Sequence, residues 1–247
     1  MSIRRVAPRR QANGGALGCA LLFVAALVGC GVLLLLIAPR LGGLAATVAG
    51  FSPSGDTERA FSSAASASIE PVINAVIPQA VTVTLPDYGA RTLPVDSALT
   101  TVNVGTDSTG APLATARVTE DGALALCRQY TPICANADPR LQNLSIDFRP
   151  GGAILYADAS VPQLGGVTQR VGAVLRVNPN GRQLDFVGID LGGQLYTAPA
   201  SALGIDFRDI ELLANDVLRR ASVTMDGRAF TPSQIVIDDA AATLILR

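Results

Sequence analysis

The sequence contains no histidine and no tryptophan, and all nineteen of its basic residues are arginine. Without histidine there is no Ser-His-Asp triad, no Cys-His pair and no HExxH zinc site. Without lysine there is no Walker A phosphate loop and no Schiff-base nucleophile. These absences exclude the commonest catalytic mechanisms, so we expect a protein that is not an enzyme and that binds no cofactor and no metal.

Carboxylates are the main reactive groups that remain. Asp185 with Asp190, and Asp206 with Asp209 and Glu211, are pairs or groups of a kind that serves acid–base catalysis or binds Ca²⁺. The second group begins a predicted helix, where acidic side chains complement the helix dipole. A structural role is therefore the favoured interpretation of these acids.

Positive charge is concentrated at the N-terminus. Residues 1–40 carry five arginines and no acid, whereas residues 41–247 carry fourteen arginines and all twenty acids. The second part therefore has a net charge of 14 − 20 = −6. An acidic domain gains nothing from the neutralisation of phosphates that drives nucleic-acid binding, so we expect no nucleic-acid partner.

An uncharged apolar segment of twenty-three residues runs from Ala16 to Ala38. As a helix it would be about 34 Å long, enough for a hydrocarbon core of about 30 Å. Four arginines precede the segment and only Arg40 follows it closely, so the positive-inside rule places the N-terminus in the cytoplasm. The sequence thus predicts a cytoplasmic arginine-rich tail (1–15), a single transmembrane helix (16–38) and an extracytoplasmic remainder in the cell membrane.

Two alternatives to a retained anchor remain open. A cleaved signal peptide has a shorter apolar run than this one. Leu27-Val28-Gly29-Cys30 resembles a bacterial lipobox, in which Cys30 would be lipidated, although residues 31–38 stay apolar where a lipoprotein usually turns polar. Both alternatives still place the rest of the chain outside the cytoplasmic membrane.

Two further cysteines, Cys127 and Cys134, lie seven positions apart in the stretch CRQYTPIC. In an oxidising compartment they would close a short loop as a disulfide. The alternative is a pair of free buried thiols. A zinc site is disfavoured, because no histidine is present to complete it.

Residues 39–60 are rich in Gly, Ala, Ser and Pro and are typical of a linker, which leaves 61–247 as the extracytoplasmic domain. From Phe61 onward apolar residues recur with a helical period, although Pro71 interrupts the series. The members of this predicted helical stripe are Phe61, Ala65, Ile69, Val72, Ile73 and Val76.

The rest of the domain predicts strands and two more helices. Alternating patterns predict hairpins within 144–159 and 170–191, and a last one within 234–246. Helices are predicted from Thr119 to about Tyr130 and from about Asp206 to Arg220. Together with the apolar segment at 16–38, this order predicts an α+β fold class: an N-terminal transmembrane helix followed by a largely antiparallel, meander-type sheet packed with two or three helices.

Several strands carry apolar residues on both faces, which happens when a sheet is covered on both sides or encloses an apolar cavity. Helices that cover both faces are the favoured explanation of the pattern. If a cavity exists, we expect it between the sheet and the helix that ends near Arg220. Its predicted lining is Leu184, Phe186, Ile210, Leu213 and Val217.

The order of these motifs carries a resemblance. The Thr-Glu-Asp start of the 118–130 helix, the hairpins LQNLSIDFRPGGAILYADA and RVNPNGRQLDFVGIDLGGQLYTAP, and the helix LLANDVLRR follow one another over residues 117–247. This series resembles bacterial single-pass envelope proteins that carry lipid-binding, tubular-lipid-binding-like domains. The resemblance implies binding of an acyl chain or an envelope glycolipid, and it transfers no catalytic residue.

Two functional hypotheses follow. The first is a membrane-anchored extracytoplasmic protein that binds a lipid or another apolar molecule of the cell envelope. The second is a structural or protein-interaction component of the envelope with a solid core and no ligand.

Overall fold

The structure is a computed structural model of the chain. It describes residues 52–61, 69–85, 89–96, 98–130, 134, 141–161, 167–197, 201–202 and 205–247. The predicted tail (1–15), the apolar segment (16–38) and the first part of the predicted linker lie outside the described residues. Of the helices that the structure does describe, none combines the length and the apolar character needed to cross a membrane.

The described residues form mainly β-strands. In chain order the first strands are β1 (Ser52–Asp56), β2 (Ile73–Val76), β3 (Ala80–Leu85), β4 (Gly89–Pro94), β5 (Thr100–Thr106), β6 (Pro112–Thr119), β7 (Leu141–Arg149), β8 (Gly152–Val161) and β9 (Val167–Val177). The remaining strands are β10 (Leu184–Leu191), β11 (Gln194–Thr197), β12 (Ser201–Ala202), β13 (Ile205–Asp206), β14 (Ser222–Met225), β15 (Arg228–Phe230), β16 (Pro232–Ile237) and β17 (Ala241–Leu246).

Helical structure is a minor part of the described chain. It consists of α1 (Glu120–Tyr130), α2 (Phe207–Arg220) and a 3₁₀ helix at Thr57–Ala60. The predicted α+β class is therefore wrong, because two short helices accompany a fold built mostly of antiparallel sheets. The predicted transmembrane helix at 16–38, which was part of the same prediction, lies outside the described residues.

The strands pair antiparallel in three main sheets and one two-stranded ribbon. The six-stranded sheet has the order β1-β11-β10-β9-β8-β7, and the five-stranded sheet the order β16-β17-β6-β5-β2. The four-stranded sheet has the order β15-β14-β3-β4, and β12 pairs with β13. Strand β1 lies inside the predicted linker 39–60, and its pairing with β11 makes it an edge strand of the six-stranded sheet.

One large apolar core lies between the three main sheets. Because successive side chains of a strand point to opposite faces, every second residue of the central strands enters this core. Its largest fully buried members include Phe148, Phe230, Leu126 and Leu175. Two smaller clusters lie apart from it. One joins Phe61 to Ile154, Val174 and Leu195, and the other joins Leu113, Val236 and Ile245, with Val72 packed against them.

The structure joins Cys127 and Cys134 in the predicted disulfide, with their Cα atoms 5.5 Å apart. Both residues are fully buried and belong to the large core, which ties the end of α1 to the chain that follows it. Disulfides persist in oxidising compartments, so this bond is compatible with an extracytoplasmic domain.

We expect the double variant Cys127→Ser with Cys134→Ser to lose about 2.5 kcal/mol of unfolding free energy, the loop-closure value for so short a loop. Urea unfolding of the full chain measures this loss. Trypsin cleaves after Arg128, so an unreduced digest should hold residues 118–128 and 129–140 together until a reductant is added. Separate peptides in the unreduced digest would show that the thiols are free.

Candidate binding groove

The predicted cavity between the six-stranded sheet and α2 has two lining residues whose side chains the structure describes, and it stays a prediction. Leu184 is 4% exposed and Phe186 is 8% exposed, and both belong to the large core that the three sheets share. They therefore fill space between the sheets. The side chains of the other three predicted lining residues, Ile210, Leu213 and Val217, lie outside the described residues.

Two polar side chains of helix α2 form hydrogen bonds with β10. The Asn215 side chain accepts a hydrogen bond from the Leu184 N–H at 2.9 Å and donates one to the Leu184 carbonyl at 3.0 Å. Four residues earlier, Glu211 accepts a hydrogen bond from the Phe186 N–H. Glu211 and Asn215 lie one helical turn apart. They form the hydrogen bonds that a neighbouring strand would otherwise form with the backbone of Leu184 and Phe186.

Two of the acidic residues considered for catalysis, Glu211 and Asp190, accept hydrogen bonds within the fold. Burial raises the pKa of Glu211, and the nearby Asp185 carboxylate raises it further, while the bond from Phe186 opposes both effects. Asp190 is buried and accepts hydrogen bonds from the Thr57 hydroxyl and the Gly193 N–H. Within the described part of the chain, no group of three His, Cys, Asp or Glu residues is arranged to hold a metal ion.

Exposed apolar side chains are concentrated in one short segment. Ile69 is 37% exposed, Ile73 42%, Val76 54% and Ile77 63%. Together with Leu212 of α2, these are the large hydrophobic residues of the described chain that are exposed to solvent. We call residues Ile69, Ile73, Val76 and Ile77 the β2 patch. Scattered exposed hydrophobics need no explanation, but a contiguous set marks an interaction surface or a ligand groove.

The segment of the β2 patch is extended, so the predicted helix that begins at Phe61 is wrong over its described part. Pro71 lies within the segment and Pro78 directly follows it, and neither offers an N–H to a helix. Asn74 has a φ of 53°, a left-handed conformation that asparagine tolerates better than most residues. The helical spacing of Ile69, Ile73 and Val76 therefore does not reflect a buried helix face.

Strand β2 is an edge strand with an irregular register. It pairs with β5 at Ile73↔Thr106 and Val76↔Val104, with a shift between the two pairs. Bulges and prolines on an edge strand hinder the addition of a further strand. The exposed side chains of the β2 patch are therefore better placed for contact with an apolar surface or molecule than its backbone is for strand pairing.

A groove of about 310 Å³ lies beside the β2 patch, on the outer face of the five-stranded sheet. One wall is the chain around Ile69, Pro71 and Val72, and the floor is polar. The floor residues come from β5, β6 and β17 and are Thr101, Asn103, Thr115, Arg117 and Thr243. We call this cavity the β2 groove. Its size is near the lower end of the range for small-molecule sites.

The strand register explains how the floor is assembled. Arg117 of β6 lies opposite Thr101 of β5 on one side and Thr243 of β17 on the other. Residues directly opposite on neighbouring antiparallel strands place their Cβ atoms about 5 Å apart. One row of the floor therefore consists of a hydroxyl, a guanidinium and a second hydroxyl.

The wall approaches the sheet closely at Gly105. A Cβ at this position would lie 2.3 Å from the Ile73 carbonyl oxygen and 2.8 Å from a Val72 methyl group. No side chain can occupy that space without moving the backbone of the wall. Glycine at 105 is thus what allows residues 72–74 to lie across β5.

An ion pair and a hydrogen bond hold the beginning of the wall, at Glu70, to Arg247 and to Ser108. Arg247 forms ion pairs with Glu70 and, at 2.8 Å, with Asp107 in the β5–β6 turn. The Ser108 hydroxyl donates to the second Glu70 oxygen at 3.2 Å. The hydrogen bond from the Thr109 hydroxyl and the ion pair with Arg247 hold the pKa of Asp107 well below its usual range. The Asp107 carboxylate therefore stays charged at physiological pH and keeps its ion pair with Arg247.

Two other surfaces carry polar groups. A groove of about 350 Å³ lies between α2, the β9–β10 turn and β16, with Arg182 and Arg219 in its lining. On the outer face of the six-stranded sheet, the Arg170 guanidinium lies 4.9 Å from the centre of the Tyr156 ring. Burial, with the nearby Asp190 and Asp147 carboxylates, raises the pKa of Tyr156 to about 12. Among the side chains that the structure describes, neither surface includes an exposed apolar set like the β2 patch.

Comparisons with known proteins place this chain in no group. No protein-family model matches it, and neither a curated protein nor a solved structure matches it.

Proposed function

We propose that this protein binds a lipid or another apolar molecule of the cell envelope, and that the β2 patch and β2 groove are its binding surface. The observation that carries the proposal is the clustering of four exposed apolar side chains within nine residues, beside a groove with a polar floor. Exposing this set to water is unfavourable, and a bound apolar molecule would remove that cost.

We propose further that the domain works at the outer face of the cell membrane. The apolar segment 16–38 and the arginines before it support this location, because they orient the remainder of the chain outward. The Cys127–Cys134 disulfide supports it as well. A binding domain held at the membrane would have its apolar ligands close by.

Our proposal places the ligand in a surface groove and not in an internal cavity. Leu184 and Phe186, the described residues of the predicted cavity, are packed in the core. The same solid core is the observation that favours the second candidate function, a structural component of the envelope that binds a protein. The two candidates use the same exposed surface and differ in what covers it.

Photolabelling of the full chain in membrane vesicles tests the proposal. The probe is a fatty acid with a photoactivatable diazirine in its chain, and tryptic peptides report where it attaches. Residues 11–40, which hold the apolar segment, serve as the internal reference for contact with bulk lipid. We expect residues 60–91 to be labelled, and an excess of unlabelled fatty acid to suppress that labelling.

Two results would count against lipid binding. One is labelling of residues 60–91 that unlabelled fatty acid does not suppress, since it would reflect chance contact. The other is the absence of labelling together with stoichiometric crosslinking of the same residues to one protein, which would establish the second candidate.

A further inference from the structure

The geometry points to an amphiphile with an anionic head and an acyl chain as the ligand of the β2 groove, with its head at Thr243 and Arg117. This inference rests on the function proposed above and names the chemistry of the ligand's polar end. Three features of the groove carry it: an unsatisfied hydroxyl, a cation next to that hydroxyl, and an apolar wall.

The first feature is the Thr243 hydroxyl. Thr243 is 2% exposed and lines the groove. Its hydroxyl oxygen is buried and has no hydrogen-bond partner within the described part of the chain. Buried polar groups are almost always bonded, and the position of this hydroxyl in the lining of a groove is what lets a bound group complete it.

The second feature is the charge beside that hydroxyl. Arg117 lies directly opposite Thr243 on the neighbouring strand. Its carboxylate partner is Asp238, whose Oδ2 lies 3.6 Å from Arg117 Nη2. Both side chains are about half exposed. Such surface pairs are weak, so the guanidinium is available to an anion. A carboxylate or phosphate would accept bonds from both Arg117 and the Thr243 hydroxyl.

Within the lining of the β2 groove, Arg117 is the cation that an anion can meet. The other charged residue of the lining, Glu70, is already paired with Arg247. Residues 41–247 carry a net charge of 14 − 20 = −6, so an anionic molecule is repelled by most of the domain. An anionic head group is therefore attracted to the end of the groove at which Arg117 lies.

The third feature is the direction in which an apolar chain would leave the head. Ile69, Pro71, Val72 and Ala75 form the apolar wall next to the polar floor. A molecule with a polar end and an apolar tail matches this order of surfaces. A peptide strand matches it less well, because the irregular register and the flanking prolines hinder pairing with β2.

The chain supplies a matched pair of variants for the test. Thr100 is 3% exposed and also has a buried, unpartnered hydroxyl, but it does not line the groove. Thr243→Val and Thr100→Val each replace an unsatisfied hydroxyl by a methyl group of similar size. Both variants should melt at a higher temperature than the parent chain, because each removes an uncompensated buried polar group.

Thr243→Val should change recognition of the head group, whereas Thr100→Val should not. The assay is photolabelling of residues 60–91 in the full chain, with decanoate or its uncharged methyl ester as competitor. With the parent chain we expect decanoate to compete at about tenfold lower concentration than the ester, corresponding to one charge-assisted hydrogen bond. Thr243→Val and Arg117→Gln should each remove that preference, and Thr100→Val should retain it.

The outcomes separate the ligand's head from the binding function as a whole. Equal competition by decanoate and its ester would overturn the assignment of an anionic head while leaving lipid binding intact. Loss of the preference in Thr100→Val as well would overturn the role of Thr243, as would a Thr243→Val chain that melts below the parent. Failure of both compounds to compete would instead contradict the proposed function.

Discussion

Replacing Ile73 and Ile77 together by glutamate should reduce the suppressible photolabelling of residues 60–91 at least tenfold. The two side chains are 42% and 63% exposed, so their replacement removes apolar surface from the β2 patch without emptying the core. Burying half of an isoleucine side chain under a ligand is worth about 1 kcal/mol. Two such losses, with two new charges that must be desolvated, exceed the 1.4 kcal/mol that corresponds to tenfold in affinity.

Leu212→Glu is the matched control for this change. Leu212 is 62% exposed, as apolar as the patch residues, and located on α2. The control chain should keep parental labelling, and labelling of residues 11–40 should be unchanged in every variant. If Leu212→Glu reduced the labelling of residues 60–91 as strongly as the double variant does, the effect would be one of general charge and the β2 patch would have no special role.

The second large effect concerns the predicted cavity. Phe186→Ala should lower the free energy of unfolding by about 3 kcal/mol, the lower end of the range for buried phenylalanine, because the ring is slightly exposed. Urea unfolding of the full chain measures this loss. Labelling of residues 60–91 should not change, because Phe186 belongs to the large core and not to the β2 groove.

The control for Phe186→Ala is a substitution of an exposed apolar residue. Leu212→Ala shortens an exposed apolar side chain and should alter the unfolding free energy by less than about 0.5 kcal/mol. A small loss of stability in Phe186→Ala, together with altered labelling of residues 183–208, would mean that a ligand occupies the space next to Phe186. The interpretation of this part of the fold as solid core would then be wrong.

Some elements follow directly from the sequence. Helix α2 is found at Phe207–Arg220, where apolar and charged residues alternate with a helical period and no proline intervenes. The hairpins β7–β8 and β9–β10 are found where Pro150-Gly151-Gly152 and Asn178-Pro179-Asn180-Gly181 separate alternating stretches. Local patterns suffice in these places because local interactions determine the conformation.

The predicted fold class is wrong in part because apolar residues at a helical spacing also occur in extended segments. Ile69, Ile73 and Val76 fit a helical stripe, yet the structure places them on an extended, exposed segment. Periodicity shows which residues share a face and does not show whether that face is buried. The prolines at 71 and 78, with Asn74 between them, were the signals that favoured an extended segment.

The β2 groove has no counterpart in any local pattern. Its floor joins Thr101, Arg117 and Thr243, which are distant in sequence and meet only through the register of β5, β6 and β17. The wall depends on Gly105, whose importance comes from the backbone that lies over it. The sequence predicts a possible ligand lining at Leu184, Phe186, Ile210, Leu213 and Val217, because a strand that is apolar on both faces occurs beside a cavity as well as in a covered sheet.

The position at which the photoactivatable fatty acid attaches to the full chain tests the central claim most directly. A ligand on the outer face of the five-stranded sheet should mark residues 60–91 in a manner that unlabelled fatty acid suppresses, with residues 183–208 and 209–219 left unmarked. Suppressible attachment to residues 183–219, with none at 60–91, would place the ligand between β10 and α2 and contradict the assignment of the β2 groove.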